Sequence, residues 1–359
     1  ALNYIFTFMI WMNISKGTIL VPLFFLFSCS GEVSLSVTFP TERKAGWELV
    51  SDELYVNVVY DLWEYKSCLL VPVADMKTGH NLWIYDKNTG KRIWSGINDG
   101  RGPGETMSGL QNTYFADGVL TYYDDMKGSI LRYQIDSILA GSFLYREERY
   151  DPPTWTMSVV ESGDNRLFMK NVGYSSPDLH EVSRFELQDR AGHTLCQYDY
   201  SPVSDPELRF YEYMYTPYSA SPDKSRLAIG TLHGTVLETY GIGQDSIAPI
   251  AVRVFEDPDI DVSSGGYDYN ERTVLGFYDI YAFDDRILAA YDGEVNPYWN
   301  SGDRQTYTKI AVFDWEGNPL ELIHTDYKIE RLCYSETENT IYAAVMDRDG
   351  IMYLAKMEL

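Results

Sequence analysis

Basic residues are scarce in this chain of 359 residues: 29 Lys and Arg stand against 53 Asp and Glu, for a formal charge of −24. A surface this negative repels phosphate backbones and anionic headgroups, which argues against nucleic acid as a partner. Cysteine and histidine are sparse too, at four and five. Cys68, Cys196 and Cys333 stand far apart in apolar, strand-like runs, so no disulfide framework or zinc spacing is present and the three read as buried free thiols. No G-x-S-x-G, H-E-x-x-H, P-loop or paired C-x-x-C occurs. After residue 28 no helical periodicity is sustained. What the chain does have is 45% hydrophobic and 15% aromatic residues, enough to bury a large core.

The amino terminus carries the longest apolar run. Read from Met12 as the true start, Lys16 precedes the mostly apolar Thr18–Phe27, and Ser28 follows as a small residue, the layout of a secretory signal. A spanning helix needs roughly 20 apolar residues. A longer transmembrane helix over residues 4–27 is the alternative, and Asn13, Ser15, Lys16 and Gly17 interrupt it. Leu26-Phe27-Ser28-Cys29 resembles a bacterial lipobox, with Phe27 where a smaller residue is usual. The resemblance implies removal of residues 1–28 and lipid attachment at Cys29. The mature chain, 29–359, would be a single domain of charge −25, held at the outer membrane in the cell envelope without entering the bilayer. At about 0.8 kcal/mol per buried methylene, several acyl chains make a stable anchor.

One pattern repeats six times: an apolar strand, a polar turn and a second apolar strand. The second strands begin at Cys68, Val119, Leu167, Leu227, Ile287 and Ile341, at intervals of 51, 48, 60, 60 and 54. Between them recurs a strand with an Asp/Gly turn, as in Leu82–Gly90, Ile130–Asp136, Arg184–Gly192 and Ile310–Asn318. In Ile341–Met346 both alternating sets are apolar, so neither face expects water. Ala228, Gly230, Ala289, Ala290, Ala343 and Ala344 fall at matching points of the repeat, where a tapering centre would crowd bulk. These features predict an all-β, six-bladed β-propeller of four-stranded antiparallel blades, a β-sandwich or a pair of smaller β domains being the alternative. Ring closure is expected from a strand at about 33–39 pairing with one at about 350–357, which removes unpaired edges.

Gly100-Arg101-Gly102-Pro103-Gly104-Glu105 resembles the G-x-G-P-G-E loop of the six-bladed TolB-like propeller lipoproteins of Gram-negative bacteria. Ser221-Pro222-Asp223-Lys224-Ser225-Arg226-Leu227-Ala228 is similar to their S-P-D-G-x-x-L/I-A turn, with Lys224 and Ser225 in the glycine region. The resemblance supports the fold and leaves function open, because propellers host many activities. Gly100, Gly102 and Gly104 permit unusual backbone angles and Pro103 stiffens the loop; Glu105 either caps the segment or meets a ligand.

Candidate chemistry is thin elsewhere. Asp257, Asp259 and Asp261 alternate and could converge on calcium, but Val262 stands where an EF-hand loop has glycine, so a solvated loop is preferred and no cofactor is expected. His80, His180, His193, His233 and His324 lie mostly in or beside turns and read as surface or hydrogen-bonding residues. Loop aromatics offer contact surfaces for proteins and sugars: Tyr298 and Trp299 first, then Tyr211, Tyr213 and Tyr215, and Tyr267 and Tyr269. The preferred function is a monomeric, non-enzymatic, membrane-tethered module binding a protein or glycan. The alternative is a hydrolase or lyase acting on a carbohydrate or lactone with carboxylates at the channel mouth. Charged side chains converging from several blades would favour the enzyme; tyrosines and hydroxyls alone would favour binding.

Overall fold

Within the compact unit Leu35–Leu359, a computed structural model describes residues 37–359 except 108–109, 111–112, 150, 154, 172–182, 204, 215, 264–265 and 297–304. Among the described residues six blade sheets follow one another along the chain, with a two-stranded hairpin, Asp261–Ser263 with Gly266–Asp268, between the fourth and fifth. Their second strands are Cys68–Asp75, Val119–Asp124, Asn165–Lys170, Arg226–Gly230, Ile287–Val295 and Thr340–Met346, and each predicted start lies within two residues of these. The runs read as two-faced in the sequence are buried on both sides: Ile341, Ala343, Ala344 and Val345 have no exposure. Two helices, Ile135–Leu139 and Pro206–Glu212, sit in connections. Among the described residues none is long and apolar enough to cross a membrane.

Six separate hydrophobic cores prove the ring, because each joins one sheet to the next. Leu62, Leu69 and Val71 of blade 1 pack with Cys333, Tyr342 and Leu354 of blade 6, so the ends of the chain meet. Among the described residues the seam between blades 2 and 3 has the smallest core: Tyr123, Ile130, Val159 and Phe168. There Arg132 and Arg166 bridge Glu148 and Glu161, at 2.9 to 3.9 Å. The small residues expected near the centre do lie between blades; a Cβ on Gly230 would come within 2.7 Å of Ile280 and Phe277.

Ring closure uses a different segment from the one the alternation suggested. The carboxy-terminal strand Met352–Glu358 takes as its neighbour Glu48–Leu49, with Glu48 opposite Lys356 and Leu49 opposite Ala355. Of the expected strand, residues 33–36 lie outside the described residues, and 37–39 form no strand. Phe39 instead inserts into the core of blades 4 and 5, 5.6 Å from the Phe313 ring. The chain then runs as Glu42–Lys44, parallel to the outermost strand of blade 5, Pro319–His324. A short edge strand needs no alternation of its own, since buried Trp47 and Leu54 on either side anchor it.

Candidate functional site

The first strands of all six blades face one central cavity of about 1090 Å³. The antiparallel order places the reversals between first and second strands at one rim. The reversals between second and third strands, and the connections between blades, lie at the other. Eight tyrosines line the cavity, among them Tyr114, Tyr213, Tyr218, Tyr278 and Tyr281. Burial pushes the Tyr218 phenol up to about 12, so it remains a hydrogen-bond donor at neutral pH.

Charged groups from separate blades converge in this channel. Asp61 lies between the two halves of the first strand of blade 1, Val58–Val59 and Trp63–Tyr65, and its Oδ1 accepts the Leu62 amide at 2.8 Å. Asp279, on the first strand of blade 5, Val274–Ala282, accepts the Leu332 amide of blade 6 through Oδ2 at 2.8 Å. Arg331, on Lys328–Ser335, gives Nε to the Tyr60 carbonyl at 2.7 Å and Nη1 to the Glu330 carbonyl at 2.5 Å. Among the described residues no carboxylate oxygen lies within the 4.0 Å ion-pair distance of Arg331.

The two carboxyls differ in environment. Burial raises Asp61 to about 8, with the Asp279 charge adding to it and Arg331 opposing. Burial raises Asp279 only to about 6, because the Arg331 charge and the Leu332 amide favour its anion. By exposure both are half-buried, since they face the cavity's own space; that space is walled on every side by blades, which is why burial dominates their titration.

The wall between blades 3 and 4 holds a fully paired network. Buried Arg184 meets Glu238 with Nη1 to Oε2 at 2.6 Å and Nη2 to Oε1 at 2.9 Å. Its guanidinium stacks 3.9 Å from the Tyr213 ring centre, and the Tyr213 hydroxyl donates to Glu238 at 2.7 Å. Nearby, the Lys170 ammonium is 2.5 Å from Glu186. At the rim of the first-to-second reversals, Lys224 lines the cavity with its ammonium 4.7 Å from the Tyr114 ring.

The residues singled out in sequence fall elsewhere. In the Gly100–Glu105 loop the Glu105 carboxylate turns back and accepts the Gly102 amide at 2.8 Å. A Cβ at Gly100 or Gly102 would come 2.1 or 2.7 Å from that carboxylate, which is why the motif pairs these glycines with an acid. Glu105 therefore caps its own loop, and none of the five motif residues lines the cavity. In the Ser221–Ala228 turn, Ser221 and Ser225 hydroxyls and the Ser225 amide bond Asp223 and hold it down at about 2. Lys224 takes the left-handed conformation, φ 60°, that a glycine would adopt freely.

Asp259 is engaged by Arg272 at 2.7 Å and by Asn270 at 2.8 Å, and Asn270 also reaches Asp261 at 3.0 Å. Among the described residues no three acids, histidines or cysteines gather as metal ligands. Tyr298, Trp299, Tyr215, His180 and Cys29 lie outside the described residues. Tyr213 is buried under Arg184 rather than exposed. Cys68 and Cys333 are buried free thiols, and Cys196 is free but half-buried.

His233 is fully buried and takes the hydrogen-bonding rather than the surface role of the two expected for it. Its amide and Nδ1 both meet Glu212, at 2.8 and 3.0 Å. Its loop presses on the first strand of blade 5, where a Cβ at Gly276 would stand 2.2 Å from the Gly234 carbonyl.

A family model described as TolB-like 6-blade propeller-like matches residues 38–337. The chain belongs to this TolB-like propeller family. Among solved structures, a Bacteroides fragilis protein named for its inferred export is similar, with 13% identity and a TM-score of 0.52, over 89% of this chain and 99% of that one. The structure of U3-55K is similar at 8% identity and a TM-score of 0.49, over 87% of this chain and 98% of that one. At such identities the likeness is one of fold alone. No curated protein matches the sequence. Within the TolB-like ring, sequence reasoning missed Asp61, Asp279 and Arg331. Asp279 is the one charged residue of its apolar first strand, and that break was an available signal; Asp61 has Glu64 close by and Arg331 shares its strand with Lys328 and Glu330, so neither stands out in the sequence.

Proposed function

We propose that the protein is exported, tethered by a lipid on Cys29, and binds a short glycan in its central channel. The observation that carries the binding reading is the cavity itself, lined from all six blades, with a volume just above the roughly 300–1,000 Å³ of ligand pockets. Sugars present apolar faces that stack on rings and hydroxyls that need partners at once. Eight tyrosines meet the first need, and the open hydrogen-bond capacity of Asp61, Asp279 and Arg331 meets the second. A glycan suits this concave, phenol-lined space better than a protein surface does. The leader layout and the Leu26–Cys29 motif support the tether.

The test is an oligosaccharide array probed with the full-length chain in detergent, followed by calorimetry on each hit. Tyr278→Ala is expected to weaken binding about tenfold, or about 1.4 kcal/mol, by removing one stacking ring. Folded protein that retains no saccharide above background would overturn the reading. The tether is read separately by labelled palmitate, which the wild type should incorporate and Cys29→Ala should not.

A further inference from the structure

We infer that the channel is also a catalytic site that hydrolyses a glycosidic bond of its bound saccharide, with Asp61 as the acid and Asp279 as the base. The inference rests on the glycan reading above. Two carboxyls from different blades face one cavity, Asp61 held by the Leu62 amide and Asp279 by the Leu332 and Ile280 amides, so main-chain donors fix both without neutralising either. Arg331 is fixed by two carbonyls rather than by a carboxylate, so its charge stays available to the pair. Such an arrangement is costly to fold and gives nothing to packing, since the three groups could be apolar without loss to the cores around them.

Protonation assigns the roles. At pH 7 Asp61, raised to about 8, holds a proton, while Asp279, at about 6, is mostly ionised. The other titratable groups facing the pair do not disturb this: Tyr218, Tyr281 and Cys333 are pushed up by burial and stay uncharged. Glu330 lies 2.7 Å from Lys328, which balances its charge. In the reaction Asp61 gives its proton to the glycosidic oxygen as the bond from that oxygen to the anomeric carbon breaks. A water oxygen bonds to the anomeric carbon and passes its proton to Asp279. Two hydroxyl-bearing saccharides leave, and exchange with solvent returns the proton from Asp279 to Asp61. Arg331 acts as a positioning residue that keeps Asp279 ionised.

The experiment incubates the full-length chain with the saccharide that binds best in calorimetry and follows its products by mass spectrometry. Cleavage is expected, with kcat/KM bell-shaped in pH and limbs near 6 and 8. Asp61→Asn and Asp279→Asn should each lower kcat by about 10²–10⁴-fold. An aryl glycoside of the same sugar, whose leaving group needs no acid, should restore turnover to Asp61→Asn and not to Asp279→Asn. A saccharide that binds and is recovered intact overturns the catalytic inference and leaves the binding reading standing. No bound saccharide at all removes both, and cleavage unaffected by either Asn variant removes the assignment.

Discussion

Trp47→Ala should cost about 3–5 kcal/mol of folding stability, the range for emptying a buried indole site. The reason is its position in the latch. Trp47 is buried in the core shared by blades 5 and 6, directly before the two-residue strand that closes the ring. Beside the two paired residues, the Val50 and Ser51 amides donate to the Leu354 carbonyl at 2.7 and 3.3 Å, the Leu54 amide donates to the Met352 carbonyl at 2.7 Å, and the Ser51 hydroxyl accepts the Leu354 amide at 2.9 Å. Each contributes about 1 kcal/mol net, and all depend on the segment lying in register. The indole keeps it there. Leu49→Ala is the matched control, because Leu49 sits in the same strand but is 42% exposed, and it should change stability by no more than about 0.5 kcal/mol. Urea unfolding of both variants makes the comparison, and equal midpoints would show that pairing alone holds the ring shut.

The same latch shows why some of this molecule can be read from its sequence and some cannot. Second strands such as Leu227–Gly230 and Ile341–Val345 are covered on both faces by neighbouring blades, so burial writes itself as an unbroken apolar run with a regular period. Closure depends on Glu48 and Leu49, too short to alternate, while the described end of the well-patterned stretch, Val37 to Phe39, packs at another seam. The channel is hidden for a different reason. Asp61, Asp279 and Arg331 come from blades 1, 5 and 6, and only circular closure brings them into one cavity, so no local spacing records their meeting. The acidic stretch Asp257–Asp261 was conspicuous because its carboxylates cluster locally, yet Asn270 and Arg272 occupy two of them. Asp279, the one charge in the apolar strand Val274–Ala282, was a better guide to this site than a cluster of charges in a loop.

Glu238→Gln should be about as damaging as the loss of Trp47, at about 3–5 kcal/mol, because it leaves Arg184 charged and buried without its counter-ion. Burial opposes the Arg184 charge, and Glu238 overrides that opposition and holds the guanidinium well above its ordinary range. The amide keeps the shape of the site but offers one acceptor where the carboxylate serves Arg184 twice, Tyr213 and Tyr240. Removing both charges with Arg184→Met and Glu238→Leu should cost less than the sum of the single changes, since the desolvated ions go together and only two phenols lose an acceptor. Denaturant midpoints of the two single variants and the double variant give the coupling, expected in the range of about 1–3 kcal/mol. Additive effects would mean that water already screens the pair.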